Sequence, residues 1–431
     1  MPMSASPTWE AWSELSARLP AALDLDELAR RSHAIQRQRC EHGINDGVSL
    51  LRLSLARGPG GMSLQQTVAW AHRNGVAEVA AQSLNERLHR STSFLVLLTH
   101  QLLAGRQMRS RLWSRRCLRI ADGSSLSQPG SKGTDFRLHA VYALGQGGFT
   151  HLELTDRRGA ESLLRCEPVA GEVLIADRGY AKARELRACL DPSGPQARDF
   201  MVRIGWRALA LRDPQGAPFD LIGHLQAIPS GADPRDDAVQ AVVGRSPQPV
   251  PLRLIVLALP ADKAEANRTK LKRKASKHQD KLDPRSLVAA GFVMLVTSLP
   301  AEIPAAEIAA AYRLRWQVEL AFKRLKSLIR IDRLPTHTQA GGLSWLYPHL
   351  ILLLLTEDIC QEFLGASPED LAGSGRASLW RRFKLVVDAL GHAISGCSLP
   401  AIAQADARVH HQLADSKRRR QRQLSPANLL S

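Results

Sequence analysis

From Met1 to about Gly105 the apolar residues recur at helical spacing, with few strand-like alternations and a Gly58-Pro59-Gly60-Gly61 break in the middle. After that break Ser63 is placed to cap a helix from Leu64 to Arg73, Asn74-Gly75 makes a turn, and Val76 to Arg90 supplies a second helix. The pattern changes at Cys117. Leu118 to Ala121, Phe136 to Ala143 and Phe149 to Thr155 read as strands, Ala160 to Cys166 as a short helical stretch, and Val173 to Ala176 as a fourth strand. Tyr180 to Leu190 then reads as helix. Three successive strands, a crossover and a further strand followed by a helix predict an α/β sheet of mixed direction.

Between Asp191 and Pro300 short strands dominate: Asp199 to Ile204, Ala208 to Arg212, Ala238 to Val243, Leu252 to Leu259 and Phe292 to Thr297. Turn residues and prolines separate them, so the segment reads as a β-rich insertion. Past Pro335 the pattern is helical to the end of the chain, and no internal repeat is visible.

Tyr312 to Lys326 carries the most informative pattern. On an α-helix, Tyr312, Arg315, Glu319, Lys323 and Lys326 step by three or four residues and form one polar stripe. Leu314, Val318, Phe322, Leu325 and Ile329 recur on the other side as a core-facing set. Glu319 is the one acid in a basic stripe. A lone carboxylate among cations suits a site that holds a divalent metal beside a polyanion.

Composition narrows the polyanion. The 431 residues allow two or three domains, and 44% hydrophobic residues can build ordinary cores. Lys plus Arg number 58 against 41 Asp plus Glu, a net charge of +17, which favours phosphate backbones or anionic membranes. Met1 to Ala17 has no secretory pattern, and the apolar run Leu350 to Leu355 is far short of the ~20 residues that span a bilayer, so a soluble, cytoplasmic protein is expected. Cys40, Cys117, Cys166, Cys189, Cys360 and Cys397 lie far apart without zinc spacing, which predicts reduced thiols.

With nucleic acid as the polyanion, three further features acquire two readings each. The helix pair around Asn74-Gly75 is either a helix-turn-helix, with Gln82, Ser83, Asn85, Arg87 and Arg90 as DNA contacts, or a hairpin packed on the core. Lys270, Lys272, Arg273, Lys274, Lys277 and Lys281 form either a solvated face or a phosphate-tracking surface. The tail Lys417-Arg418-Arg419-Arg420-Gln421-Arg422 either contacts phosphates or keeps the chain soluble.

Two aspartates complete the candidate chemistry. Asp122 is read as ending the first strand and Asp177 the fourth, each at a rim where the backbone leaves the sheet and ligands bind. Each alone is explained as a turn starter or cap. Together with Glu319 they make three hard oxygen ligands of the kind that hold Mg²⁺ or Mn²⁺, and paired metals ~3.5–4 Å apart serve phosphoryl transfer.

Three motifs then resemble a known family, the DDE transposases of bacterial insertion sequences, in the branch with a Tyr-Arg-Glu-Lys signature. They are Asp122-Gly123-Ser124, Ala176-Asp177-Arg178-Gly179-Tyr180, and the set Tyr312, Arg315, Glu319 and Lys326, led by Phe292 to Thr297 and Ser298-Leu299-Pro300. The resemblance runs from about Cys117 to Ile331. It implies a ribonuclease-H-like catalytic domain interrupted by a β-rich insertion, with Asp122, Asp177 and Glu319 holding two divalent metals. It implies that Tyr312, Arg315, Lys323 and Lys326, with Arg178 beside Asp177, grip double-stranded DNA at the transposon ends, and that a homodimer forms on that DNA, in the cytoplasm and associated with the nucleoid. Members that excise through a hairpin use an aromatic of the insertion to receive a flipped base. Here Phe292 stands in the matching stretch before the glutamate helix and Trp206 is the only Trp of the insertion, and core positions are expected for both.

The leading function is therefore cut-and-paste transposition, with a ribonuclease-H-like nuclease and a DNA-binding regulator as alternatives. The expected organisation is a helical N-terminal DNA-binding region over 1–105, catalytic core over 106–190, insertion over 191–300, glutamate helix over 301–335, and a helical C-terminal region over 336–431. Leu343 to Leu364 is a candidate dimer interface, with burial in the monomer's own core as the competing outcome.

Overall fold

The computed structural model describes residues 7–35, 43–106, 113, 116–244, 249–364 and 378–395. The basic tail lies outside the described residues.

Among the described residues nine strands form one sheet: β1 (Cys117–Leu126), β2 (Phe136–Ala143), β3 (Gly148–Asp156), β4 (Glu172–Ala176), β5 (Asp199–Ile204), β6 (Leu211–Arg212), β7 (Arg235–Ala241), β8 (Val250–Ala258) and β9 (Phe292–Thr297), in the order β3-β2-β1-β4-β5-β9-β8-β7-β6. β1, β2 and β3 are an antiparallel meander, β4 runs parallel to β1 and β5 parallel to β4. The remaining strands join antiparallel. Every residue of β4 is buried, as a parallel strand covered on both faces requires.

Period-two alternation divides the core. Ile120, Val173, Ile175, Met201 and Leu295 face a helical body, whereas Ala121, Leu174, Ala176, Phe200, Val202 and Val296 face the other way. The helical body holds α1 (Pro7–Ser16), α2 (Leu25–Arg31), α3 (Gly47–Arg57), α4 (Leu64–Arg73), α5 (Ala81–Arg90) and α6 (Thr92–Ala104). The opposite face is covered by α7 (Ala183–Leu190), α8 (Leu221–Gln226) and, beyond the exposed α9 (Ala261–His278), by α10 (Pro284–Ala289). After β9 come α11 (Ala305–Arg313), α12 (Trp316–Arg324), α13 (Gln339–Leu364) and α14 (Leu379–Ser395), and α13 packs on α6, α14, α3 and α5.

Several expectations change. The strands of the β-rich segment 191–300 continue the sheet, because β9 pairs with β5 and β8 with β9. β1 does not stop at Ala121 but runs through Asp122 to Leu126, since its pairing with β2 continues to Leu126 opposite Phe136. Gly123-Ser124-Ser125 reads locally as a turn, and cross-strand pairing overrides that preference. The hairpin's first helix is capped by Ser63 in a capping box with Gln66, but the second starts at Ala81, five residues later than read. On it Gln82, Ser83 and Arg90 are exposed, and Arg87 is turned inward to the carbonyl of Ala34.

Leu343 to Leu364 falls in α13, where Leu346, Leu350, Ile351, Leu353, Leu354 and Leu355 are all buried in the monomer's core. This burial removes the segment as a dimer interface. The apolar stretch is also longer than its uninterrupted leucines suggest: Gln339–Glu362 could cross a bilayer by length and composition, yet most of it is enclosed by the protein.

The stripe from Tyr312 to Lys326 is not one helix. Leu314 and Arg315 donate their N–H groups to Ala311 and Tyr312, and Gln317 to Leu314, so a tight 3₁₀-type turn separates α11 from α12. After Arg324 a π-helical turn, Leu325–Ile329, follows and closes on Arg330 in the left-handed conformation. Leu314, Val318, Phe322, Leu325 and Ile329 are buried as the apolar periodicity predicts.

Candidate active site

The last paired residues of β1 and β4 are Ala121 and Ala176. Asp122 and Asp177 each come one residue later, at matched positions on adjacent parallel strands. Each uses one oxygen on its own following backbone: Asp122 Oδ1 accepts from Gly123 N at 2.8 Å and Asp177 Oδ1 from Arg178 N at 2.8 Å. The capping role that explains either aspartate alone thus occupies one oxygen and leaves the other available.

Glu319 reaches this pair through Arg315. Arg315 Nη2 donates to Glu319 Oε1 at 2.5 Å, and its Nη1 lies 3.8 Å from Asp122 Oδ2. The Glu319 side chain is 55% exposed and that of Arg315 15%. In this arrangement Glu319 is turned to Arg315, and among the described residues no three acids converge into a closed metal cage.

Burial of Asp122 pushes its carboxyl up to about 6. The Gly123 N–H and Arg315 pull the other way, while Glu161 and Glu319 add to the rise. Tyr312 is 9% exposed, its hydroxyl has no partner among the described residues, and it lies in the field of Asp177, Arg315, Arg203 and Arg178. Burial raises the Tyr312 phenol far above its ordinary range, so it remains a proton donor. Burial lowers the Arg178 guanidinium, helped by Arg203 beside it.

The structure therefore brings together Asp122, Asp177, Glu319, Tyr312, Arg315 and Arg178. Lys326, in the π turn, donates to the carbonyl of Ser125 at 3.1 Å, which ties it to the extension of β1. Lys323 points away, with its ammonium 5.8 Å from the ring centre of Trp380 on α14. Two residues escaped the sequence reading. Arg203 of β5 stands 3.7 Å from Asp177 Oδ1, and no local pattern marked it. Glu161 lies in the β3–β4 connection, in the stretch Ala160 to Cys166 read as helical, of which the structure keeps only a 3₁₀ turn at Leu163–Arg165, and that reading gave Glu161 no role.

Trp206 and Phe292, expected in the core, are partly buried against it and also line a cavity of about 380 Å³ with Arg178, Arg203, Asn267, Lys270 and Lys274. Arg207 and Arg285 stack on Trp206, at 4.3 and 4.6 Å from the ring centre. The basic helix α9 is exposed along this rim. An acid-bearing sheet end thus opens beside a cationic, aromatic-lined recess.

Residues 113–355 match the family model for the transposase DDE domain, which sets the class as an enzyme of DNA phosphoryl transfer. Over 370 residues the chain is 37% identical to the transposase of insertion sequence element IS421 from Escherichia coli, covering 84% of this chain and 97% of that protein. Identity to InsL, the transposase assigned to element IS186A of Escherichia coli, is likewise 37% over 369 residues, with the same coverage. The chain belongs to the DDE transposases of bacterial insertion sequences. DNA is its partner, and family membership implies a divalent metal ion. Among solved structures the chain is similar to piggyBac transposase in a synaptic complex with hairpin DNA, at 8% identity and a TM-score of 0.45, over 97% of this chain and 87% of that one.

The residues present fit such an ion and its phosphate partner. Asp122, Asp177 and Glu319 are hard oxygen donors, and the orphaned Tyr312 hydroxyl with Arg178 and Arg203 offers a donor and cations for phosphate oxygens.

Proposed function

We propose that Asp122, Asp177 and Glu319 are the catalytic acids of cut-and-paste transposition and hold two Mg²⁺ or Mn²⁺ ions. The observation that carries this reading is the matched register of Asp122 and Asp177, with Arg315 linking Asp122 to Glu319. The order β3-β2-β1-β4-β5 with an antiparallel meander and two parallel strands supports a ribonuclease-H-like catalytic core, interrupted by the insertion. The organisation we propose keeps the N-terminal region 1–105 as DNA-binding, 106–190 and 301–335 as catalytic core, 191–300 as insertion and 336–431 as the C-terminal region.

Divalent cations held by these acids supply activation of the attacking oxygen and charge for the leaving one. The chain's residues orient the DNA around them. The Tyr312 hydroxyl donates to a phosphate oxygen, Arg178 and Lys326 hold neighbouring phosphates, and Lys323 does so farther along the duplex. Arg315 leaves Glu319 for the scissile phosphate and offsets charge that grows at phosphorus. Water forms the new P–O bond in line as the bond to the 3′-oxygen breaks, freeing a 3′-hydroxyl. That hydroxyl then attacks a target phosphodiester and releases the target's own 3′-oxygen as hydroxyl. Two element ends must meet, so a homodimer assembles on the DNA, at the nucleoid.

The test is cleavage of a labelled duplex carrying the gene's own flanking sequence, in Mg²⁺ or EDTA, by wild type and Glu319→Gln. Metal-dependent nicking at the element end, lost in Glu319→Gln with binding retained, is expected. Normal nicking by Glu319→Gln would remove Glu319 from the site.

The Trp206 cavity favours a second reading, of the excision route: its aromatic wall and cationic rim suit an extruded base. A 2-aminopurine at the cleaved end should gain fluorescence on binding wild type. Equal gain with Trp206→Ala would assign the extrusion elsewhere.

A further inference from the structure

The two aspartate motifs share a feature that their own chemistry does not require. Each is followed by a glycine, Gly123 directly and Gly179 after Arg178, and both glycines are packed by one side chain. A Cβ added at Gly179 would lie 1.7 Å from Glu161 Oε2, and one added at Gly123 would lie 3.3 Å from Glu161 Oε1. Neither backbone is in the left-handed region that favours glycine, and a Cβ at Gly179 would require the Glu161 carboxylate to move. The two glycines form a seat for a third carboxylate directly beside the aspartates.

The loop that delivers Glu161 is fixed on both sides. Lys182 Nζ donates to the Glu161 backbone carbonyl and pairs with Glu185 Oε1 at 3.1 Å. Glu185 Oε2 in turn accepts from Leu163 N at 2.8 Å. The Glu161 carboxylate itself is half-buried, and among the described residues no hydrogen bond or ion pair reaches it. Lys182 is taken by the Glu161 backbone and by Glu185. Carboxylates of like charge placed side by side repel each other, and a bound cation offsets that repulsion. The seat therefore holds an anionic oxygen where a divalent ion between Asp122 and Asp177 would gain a further ligand.

We infer that Glu161 is a fourth carboxylate of the metal site, binding a divalent cation together with Asp122. This rests on the reading of Asp122 and Asp177 as metal ligands. Glu161 acts on the metal and leaves DNA recognition to the cations described above.

The test is Mn²⁺ titration of the full metal-free chain without DNA, read from the free-Mn²⁺ electron paramagnetic resonance signal. Wild type, Glu161→Gln, Asp177→Asn and Glu319→Gln are compared. Glu161→Gln is expected to weaken at least one Mn²⁺ equivalent by about tenfold or more, with a melting temperature in EDTA equal to or above that of wild type. Wild-type affinity in Glu161→Gln alongside a loss in Asp177→Asn would overturn the inference and leave the three-acid reading standing. Unchanged binding in Asp177→Asn and Glu319→Gln would instead overturn the three-acid reading. If Glu161→Gln does not fold, Fe²⁺ with peroxide on wild type decides: backbone scission at 159–163, suppressed by excess Mg²⁺, supports the inference, and scission confined to other segments overturns it.

Discussion

Arg315 Nη2 lies 2.5 Å from Glu319 Oε1, one helical turn away, and this contact sets the state of the site. Arg315 offsets the charge of Glu319 and, at 3.8 Å, of Asp122, and under the proposed metal reading it competes there with a bound cation. Arg315→Ala should therefore tighten Mn²⁺ binding, because the competing guanidinium is gone. Strand nicking should still fall about a hundredfold, because charge stabilisation at phosphorus is lost. Titration and cleavage on the same preparation check both, and a joint fall of affinity and nicking would contradict the assigned role.

Asp122 gives a pH dependence of defined sign. Burial lifts its folded-state carboxyl to about 6, so between roughly pH 4 and that value the folded chain holds a proton that the unfolded chain has lost. This group destabilises the metal-free fold near neutral pH by about 3 kcal/mol. The penalty fades as pH falls through 6. Asp122→Asn should raise the melting temperature in EDTA near neutrality, with the advantage gone by about pH 4. Melts across that range read it directly.

Gly179→Ala should destabilise the chain by no more than about 1 kcal/mol, since its methyl must displace the Glu161 carboxylate, the end of a flexible side chain at an exposed position. Gly179→Ala combined with Glu161→Ala should recover most of that loss. Urea melts of the two singles and the double measure the coupling, and strict additivity would show that the two do not share the space.

Glu172 opens β4 and is buried between Arg119, at 2.5 Å, and Arg198, at 3.4 Å. Glu172→Gln strands two buried cations where β4 is held beside β1. A loss of about 3–5 kcal/mol is expected from chemical denaturation. A change within about 0.5 kcal/mol would show that solvent reaches the pair.

Lys270 and Lys274 on α9 rim the Trp206 cavity. Replacing each with Ala should weaken binding of any duplex to a similar degree, and lower the slope of log affinity against log salt by about 0.9 per residue. Fluorescence anisotropy at several salt concentrations tests this. An unchanged slope would return α9 to the role of a solvated face.

Local pattern carried the reading where local forces decide. β2, β5 and β9 were bounded by their apolar runs, and Asp177 was placed correctly because β4 is short and buried on both faces. Asp122 was assigned to the right strand but the wrong place in it, because the pairing of β1 with β2 beyond Ala121 is a nonlocal event. The break between Tyr312 and Trp316 left no periodic trace, since a 3₁₀ turn keeps the apolar positions nearly in phase. It nonetheless decides the chemistry: Tyr312 is buried towards Asp177 while Arg315 turns to Asp122. Glu161 was invisible because a loop residue gains its position from the two glycines it touches, far away in sequence.

The pairing of β5 with β9 has a consequence for protein engineering. Trimming the chain from β6 through β9 to obtain a minimal catalytic unit would strip β5 of its neighbour and leave Met201 to Ile204 as a raw, apolar sheet border. Such borders recruit strands from other molecules. The shortened protein should aggregate unless the new border is guarded by charge or proline, whereas deletions confined to α9 leave the sheet sealed.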